Sequence, residues 1–203
     1  MKTQWRQNSF VIGGHFSTKG QLLVAAPSLD DPNFHHAVVF MLEHRTDGAV
    51  GVVINRPLPE GALRGLHDWQ IHLKEPATAY VGGPVEVDGL IGLASMRGPL
   101  VDPQLVDTAD IDADEWVLGT IDLSLPPEQV AAEIGAVRIF RGYAGWGALQ
   151  LDAELTGDSW IVVAAEPGDV FTPDPEGLWR DVLRRQGGRV AWLANAPDDL
   201  SAN

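Results

Sequence analysis

The chain has 203 residues, no cysteine and a formal net charge of -14 at pH 7. A length of this order suits one core that needs no disulfide staple, and the missing thiols exclude cysteine nucleophiles and thiolate zinc sites. The acidic balance repels a phosphate backbone and so argues against nucleic acid as a direct partner.

No internal stretch reads as a linker, so residues 1–203 are taken as a single domain, with an N-terminal arm over about 1–16 and a disordered tail expected over about 196–203. The arm carries scattered charges and no apolar h-region, and no apolar run approaches the length of a membrane span. A cytoplasmic protein without a membrane partner is the expectation.

Gln21–Pro27, Ala37–His44 and Ala49–Arg56 are apolar, rich in Val and bounded by turn residues, which predicts three strands. Asp47-Gly48 between the second and third is a hairpin signal and makes them antiparallel. A short helix is expected over Pro59–Asp68, with Leu63, Leu66 and His67 at helical spacing and Gly61 and Gly65 weakening it. Further strands are expected at Ala79–Val81, Leu90–Met96, Trp116–Gly119, Val137–Tyr143 and Trp160–Ala165. Pro126-Pro127 predicts the start of a helix reaching about Ile134, and another follows Gly147 with Leu151 and Leu155 on one face. The clearest helix is expected from Asp174-Pro175 to Gly187-Gly188, its stripe Leu178, Trp179, Val182 and Leu183 turned to the core. Strands outnumber helices and alternate with them irregularly, so the fold class is α+β.

A meander of the first three strands brings the connecting loop beside the end of the third. Ser28, Asp30, Asp31, Asn33, His35 and His36 then meet Asn55 and Arg56 at one sheet edge. Carboxylate, imidazole and guanidinium groups within mutual reach suit acid–base work or an anionic ligand. The same residue types also suit a plain turn, in which Asp and Asn cap backbone groups and Arg56 neutralises an aspartate.

A second candidate anion site is the segment with Arg138, Arg141, Gly145 and Gly147, where a strand runs into glycines and a helix start. Its glycine order, G-x-x-G-x-G, departs from the dinucleotide fingerprint, and structural glycines beside a packed Trp146 are the competing account. Asp110, Asp112 and Asp114 open like a calcium loop, but Glu115 and Ile121 occupy the places where glycine and glutamate are needed. The histidines show no ligand spacing. No metal and no cofactor are therefore assigned.

The blocks GQLLVAAPSLDDPNFHHAVVFMLEH, GAVGVVINRP, YVGGPV, RIFRGYAGWGALQLDAEL and FTPDPEGLWRDVLRRQGG, in that order, resemble the YqgE/AlgH family of bacterial proteins over about Gly20 to Gly188. The resemblance implies a mixed, mostly antiparallel sheet bent into a bifurcated pseudo-barrel with helices around it, in a cytosolic protein. It implies no established activity. The family's frequent label as a transcriptional regulator comes from a genetic association with alginate production, and this chain shows no helix-turn-helix pattern to support it. Matching motif positions are Asp31, Pro32, Phe34, Asn55, Arg56, Pro57, Gly82, Gly83, Pro84, Gly142, Tyr143, Gly145, Trp146 and Gly147. Some members carry a reactive cysteine that this chain lacks. The reading is a regulatory or interaction protein with an unknown protein partner or a small anionic ligand. The alternative is an enzyme or anion binder using the edge cluster from Asp30 to Arg56.

Overall fold

A computed structural model describes residues 11–12, 15–59, 62–63, 66–97, 116–129, 134–166 and 168–196. The expected tail beyond Ala196, most of the expected arm and the Asp110–Asp114 loop lie outside the described residues. Within the arm, β1 (Val11–Ile12) pairs antiparallel with β2 (His15–Phe16).

The main sheet has eight strands among the described residues. Its meander is β3 (Gln21–Ala25), β4 (Val38–Arg45) and β5 (Gly48–Val53), all antiparallel. Arg45 pairs with Gly48, so the β4–β5 hairpin closes through Thr46-Asp47, as the Asp-Gly signal implied. The remaining strands are β6 (Ala79–Val81), β7 (Val85–Arg97), β8 (Trp116–Ile121), β9 (Ile134–Trp146) and β10 (Trp160–Ala164). The order is β10-β3-β4-β5-β9-β7-β8, with β6 joining β9 in parallel, so the sheet is mostly antiparallel and does not close.

The branch lies on β9. One edge of this strand pairs with β7, while the other pairs with β6 over Ile139–Arg141 and with β5 over Ala144–Trp146. Gly142 sits at the changeover with φ +67. Before it, Phe140 faces the core shared with Tyr80 and Leu93, and Val137 and Ile139 face the opposite side; after it, Ala144 and Trp146 face a different core and Tyr143 packs where Phe140 does. A left-handed residue thus reverses the alternation of a strand, which fits a glycine because a side chain there is strained. A Cβ on Gly142 would also stand 2.6 Å from the Gly83 carbonyl oxygen, and one on Gly82 would stand 2.2 Å from that of Gly142. The G-G-P and G-Y-A-G-W blocks are therefore two glycine surfaces laid against each other.

Both faces of the meander are buried, which explains why its strands read as unbroken apolar runs. Leu22, Val24, Val38, Phe40, Val52 and Ile54 pack under α2 (Leu178–Arg185) through Leu178, Trp179, Val182 and Leu183. Leu23, Ala25, Val39, Met41 and Val53 pack on the other side with Leu151 of α1 (Gln150–Thr156), Trp146 and Trp160. Each such Leu or Val contributes about 1.5–3 kcal/mol relative to exposure.

Three local expectations are corrected. Within Pro59–Asp68 the described residues before His67 form no helix, with Ala62 and Leu63 in a turn, and a 3-10 helix begins only at His67 and runs to His72, where Trp69 joins Leu63 in a third core cluster. The helix begun at Pro127 is a 3-10 turn over Pro127–Gln129, and Ile134 already belongs to β9, paired with Met96. In the C-terminal helix, Asp174 Oδ1 accepts from Gly177 N at 3.0 Å and caps a preliminary turn, so α2 begins only at Leu178. Gly187, at φ +70, ends that run, and α3 (Gly188–Leu193) starts at once.

Candidate functional site

The loop between β3 and β4 is fastened by the residues that follow β5. Asp31 Oδ1 accepts from Asn33 N at 2.8 Å, an Asx turn that opens the loop. Asn55, 8% exposed, accepts from Val38 N at 2.9 Å and donates through Nδ2 to the His36 carbonyl at 2.9 Å. Arg56 donates through Nη1 to the Asn33 carbonyl and through Nη2 to the His35 carbonyl, the latter at 2.9 Å. Strand order thus brings Asp31, Asn55 and Arg56 to one edge of the sheet. The Arg56 fork points at main-chain oxygens, and no salt bridge links it to a carboxylate among the described residues. Its burial lowers the guanidinium pKa from the usual value, and the nearby charge of Asp31 opposes that shift. Ser28 and Asp30 are exposed at the rim, and their side chains make no hydrogen bond among the described residues.

His36 has φ +51, an uncommon conformation for a residue with a side chain. Its ring lies between those of His35, at 4.1 Å between centroids, and Trp179, at 3.9 Å, both nearly parallel to it. Trp179 is 1% exposed and anchors the pile by donating Nε1 to the Ala25 carbonyl at 2.9 Å. On the other side of the loop, Phe34 packs against Trp146 and Trp160, whose indole nitrogens both donate to Glu154 Oε2 at 2.9 and 2.8 Å.

The second candidate set is not brought together. Arg138 and Arg141, three residues apart on a strand, face opposite sides of β9. Arg138 is 1% exposed, lies 4.4 Å over the Tyr80 ring and donates Nη2 to the carbonyls of Glu75 and Thr172, both at 3.1 Å. Its Nε and Nη1 are enclosed without a partner, and burial pushes its pKa down against the opposing influence of Tyr80. Arg141 sits at the surface, 3.9 Å from Asp88. Gly145 pairs with Val50, and the Gly147 N–H donates to Gln150 Oε1 at 3.0 Å.

Two polar groupings carry no local sequence signal. His44, 3% exposed, accepts at Nδ1 from Thr18 N at 3.2 Å, stands 3.0 Å from Thr18 Oγ1, and places Nε2 3.5 Å from Asp152 Oδ2. This row of hydroxyl, imidazole and carboxylate has the order of a nucleophilic triad, but Thr18 is fully buried and its hydroxyl is closed off from solvent. Arg185 grips Asp169 with both nitrogens, Nη1 to Oδ1 at 2.5 Å and Nη2 to Oδ2 at 2.7 Å, and also donates to the Ala164 carbonyl at 2.9 Å. Only the tertiary fold joins these partners. Among the described residues, no three His, Asp or Glu side chains are placed to hold a metal ion.

A family model described as AlgH-like matches residues 22–191. The chain is 47% identical to a UPF0301 protein of Streptomyces coelicolor, over 92% of this chain and 96% of the relative. It is 39% identical to a UPF0301 protein of Mycobacterium bovis, covering 91% and 90%. Among solved structures, a Corynebacterium diphtheriae protein superposes with a TM-score of 0.74 at 27% identity, covering 88% of this chain and 92% of that one. The AlgH protein from Pseudomonas aeruginosa superposes with a TM-score of 0.63 at 28% identity, covering 95% and 98%.

Proposed function

The chain belongs to the AlgH-like family, and from that premise we propose that it works in the cytosol as a regulatory or interaction protein rather than as an enzyme. The observation that supports this reading is the use made of Asn55 and Arg56. Their donors and acceptor hold the carbonyls of Asn33, His35 and His36 and the N–H of Val38. A loop tied at four main-chain points loses little conformational entropy on association and presents Asp30, Asn33 and His35 outward in fixed positions. Catalysis would ask instead for an acid, base or nucleophile poised toward an open site. No helix among the described residues is long and apolar enough to cross a membrane. The test has two arms. Purified protein is assayed on ester, phosphoester and peptide panels, where no turnover is expected; turnover that disappears in Arg56→Ala would overturn the reading. Affinity capture then compares the Asp30→Arg/Asn33→Arg double variant with Asp158→Arg, a change outside this loop. A partner retained by Asp158→Arg and lost by the double variant is the expected result.

A second reading, small-anion binding at the same edge, is favoured by one detail: the Arg56 guanidinium carries donors beyond the two used on carbonyls, and no carboxylate grips it among the described residues. Thermal shift against phosphorylated metabolites tests it, since a ligand at a hundred times its dissociation constant stabilises the fold by about 2.7 kcal/mol. Arg56→Ala should abolish that response.

A further inference from the structure

We propose that the outer face of the His35 ring and the Arg56 guanidinium together form a binding site for a small ligand that joins a flat heteroaromatic ring to one acidic group, of the nucleoside monophosphate class. This rests on the anion reading of Arg56 and adds to it a recognition element for the rest of the ligand.

The ring pile runs from core to surface. Trp179 is buried and anchored to Ala25, His36 covers Trp179, and His35 covers His36 and is itself exposed. His35 makes no ring contact other than that with His36 among the described residues. The pile therefore ends in a flat, rigid π surface. A further ring can continue it with the geometry that already joins its members, and stacking of this kind accepts any base because every base has a π face.

Acidic recognition sits on the residue that carries that surface. Arg56 Nη2 donates to the main-chain carbonyl of His35 at 2.9 Å, which puts the guanidinium one side chain's reach from the ring. The left-handed backbone of His36 turns its ring between its neighbours, and the Asn55 hydrogen bond to the His36 carbonyl keeps it there. Strain maintained by surrounding contacts is a feature of binding loops. The charge of the ligand is bounded by its surroundings. Asp30 and Asp31 lie in the same loop and the protein as a whole carries -14, so one phosphate beside Arg56 is favoured over a triphosphate.

Calorimetry with AMP, adenosine, ATP and inorganic phosphate on the full chain tests the inference at pH 7.5. AMP is expected to bind more tightly than phosphate, adenosine and ATP. His35→Ala, at an exposed position, should weaken AMP about five- to hundredfold while leaving phosphate unchanged. His35→Phe, which restores a flat face, should recover AMP binding, and Arg56→Gln should weaken both AMP and phosphate. Should Arg56→Gln fold poorly, the His35 pair still decides. The inference is overturned if AMP binds no better than phosphate or if His35→Ala binds AMP as the parent does; phosphate binding that depends on Arg56 would then leave the anion reading standing alone. Absence of binding by both AMP and phosphate removes the two together.

Discussion

Replacing Arg185 with alanine isolates a bidentate ion pair whose carboxylate is buried. Asp169 is 4% exposed, and both of its oxygens are gripped by the Arg185 fork, whose side chain is 23% exposed. The substitution leaves Asp169 with the Glu166 N–H, at 2.6 Å, as its remaining strong donor, and it uncaps the Ala164 carbonyl at the outer end of β10. Removing one partner of a buried ion pair costs about 3–5 kcal/mol, because the other charge stays desolvated. Partial exposure of Arg185 places this case at the lower end, about 3 kcal/mol. For a chain of this size that is a fall in Tm of about 6–12 °C. Urea unfolding of Arg185→Ala, Asp169→Asn and the double variant gives the coupling directly. Most of the loss should be recovered when Asp169 is also neutralised. A single variant within about 0.5 kcal/mol of the parent, or strictly additive losses, would refute the account of a charge held in the core by its partner.

Asn55→Ala should destabilise by about 1–3 kcal/mol, because it leaves the Val38 N–H and the His36 carbonyl unpaired beneath the loop; faster amide exchange at Val38 is the local readout. Gly142→Ala should fail more severely than an alanine placed at exposed Gly168, by about 3 kcal/mol or more in denaturant, since it combines φ +67 with a main-chain overlap. Glu43 gives a pH signature. Burial alone would raise its pKa, but the Arg45 hydrogen bond and Lys19 outweigh it and hold the carboxyl below the usual range. The contribution is therefore complete above the unfolded-state pKa and is lost as pH falls through the lower folded value. Glu43→Gln should cost about 0.5 kcal/mol near pH 7 in this partly exposed setting and nothing once the parent carboxyl is protonated, as read from chemical denaturation across pH.

The meander was legible because its strands are buried on both faces and are written as unbroken Val-rich runs, with Asp47-Gly48 marking the turn. That order alone implied that Asp31 and Arg56 would share an edge. Their bonding partners were not legible: the guanidinium meets carbonyls, which every residue possesses and no composition reveals. Glycines were read only in part. The strand expected over Val137–Tyr143 held Gly142 but stopped before Gly145, whereas β9 runs on to Trp146 with a change of face at Gly142; the stop at Gly187-Gly188 was read correctly, but the helix that begins directly after it was not. Ile134 had helical neighbours in sequence but was claimed by Met96 across the sheet, a case of tertiary pairing overriding local propensity. The pairs His44–Asp152 and Arg185–Asp169 join residues from different elements, which only the folded topology brings together.

The change of face at Gly142 has a consequence for the order in which this protein is completed during synthesis. β5, β6 and β7 have all been made before β9 exists, and neither β5 nor β6 pairs with β7 strand to strand; β9 is the strand that joins them, although Arg56 and Leu58 beyond β5 bond directly to β6. Until Ile134–Trp146 has emerged, the earlier strands can form the β3–β4–β5 meander and the β7–β8 hairpin but not the sheet that joins them, with two apolar faces of the meander open and α1 and α2 still to come. Such a species is prone to aggregate. Assembly should then proceed late and in a single step, and a nascent chain halted between Arg97 and Gly142 should depend on chaperones far more than one halted after Arg185.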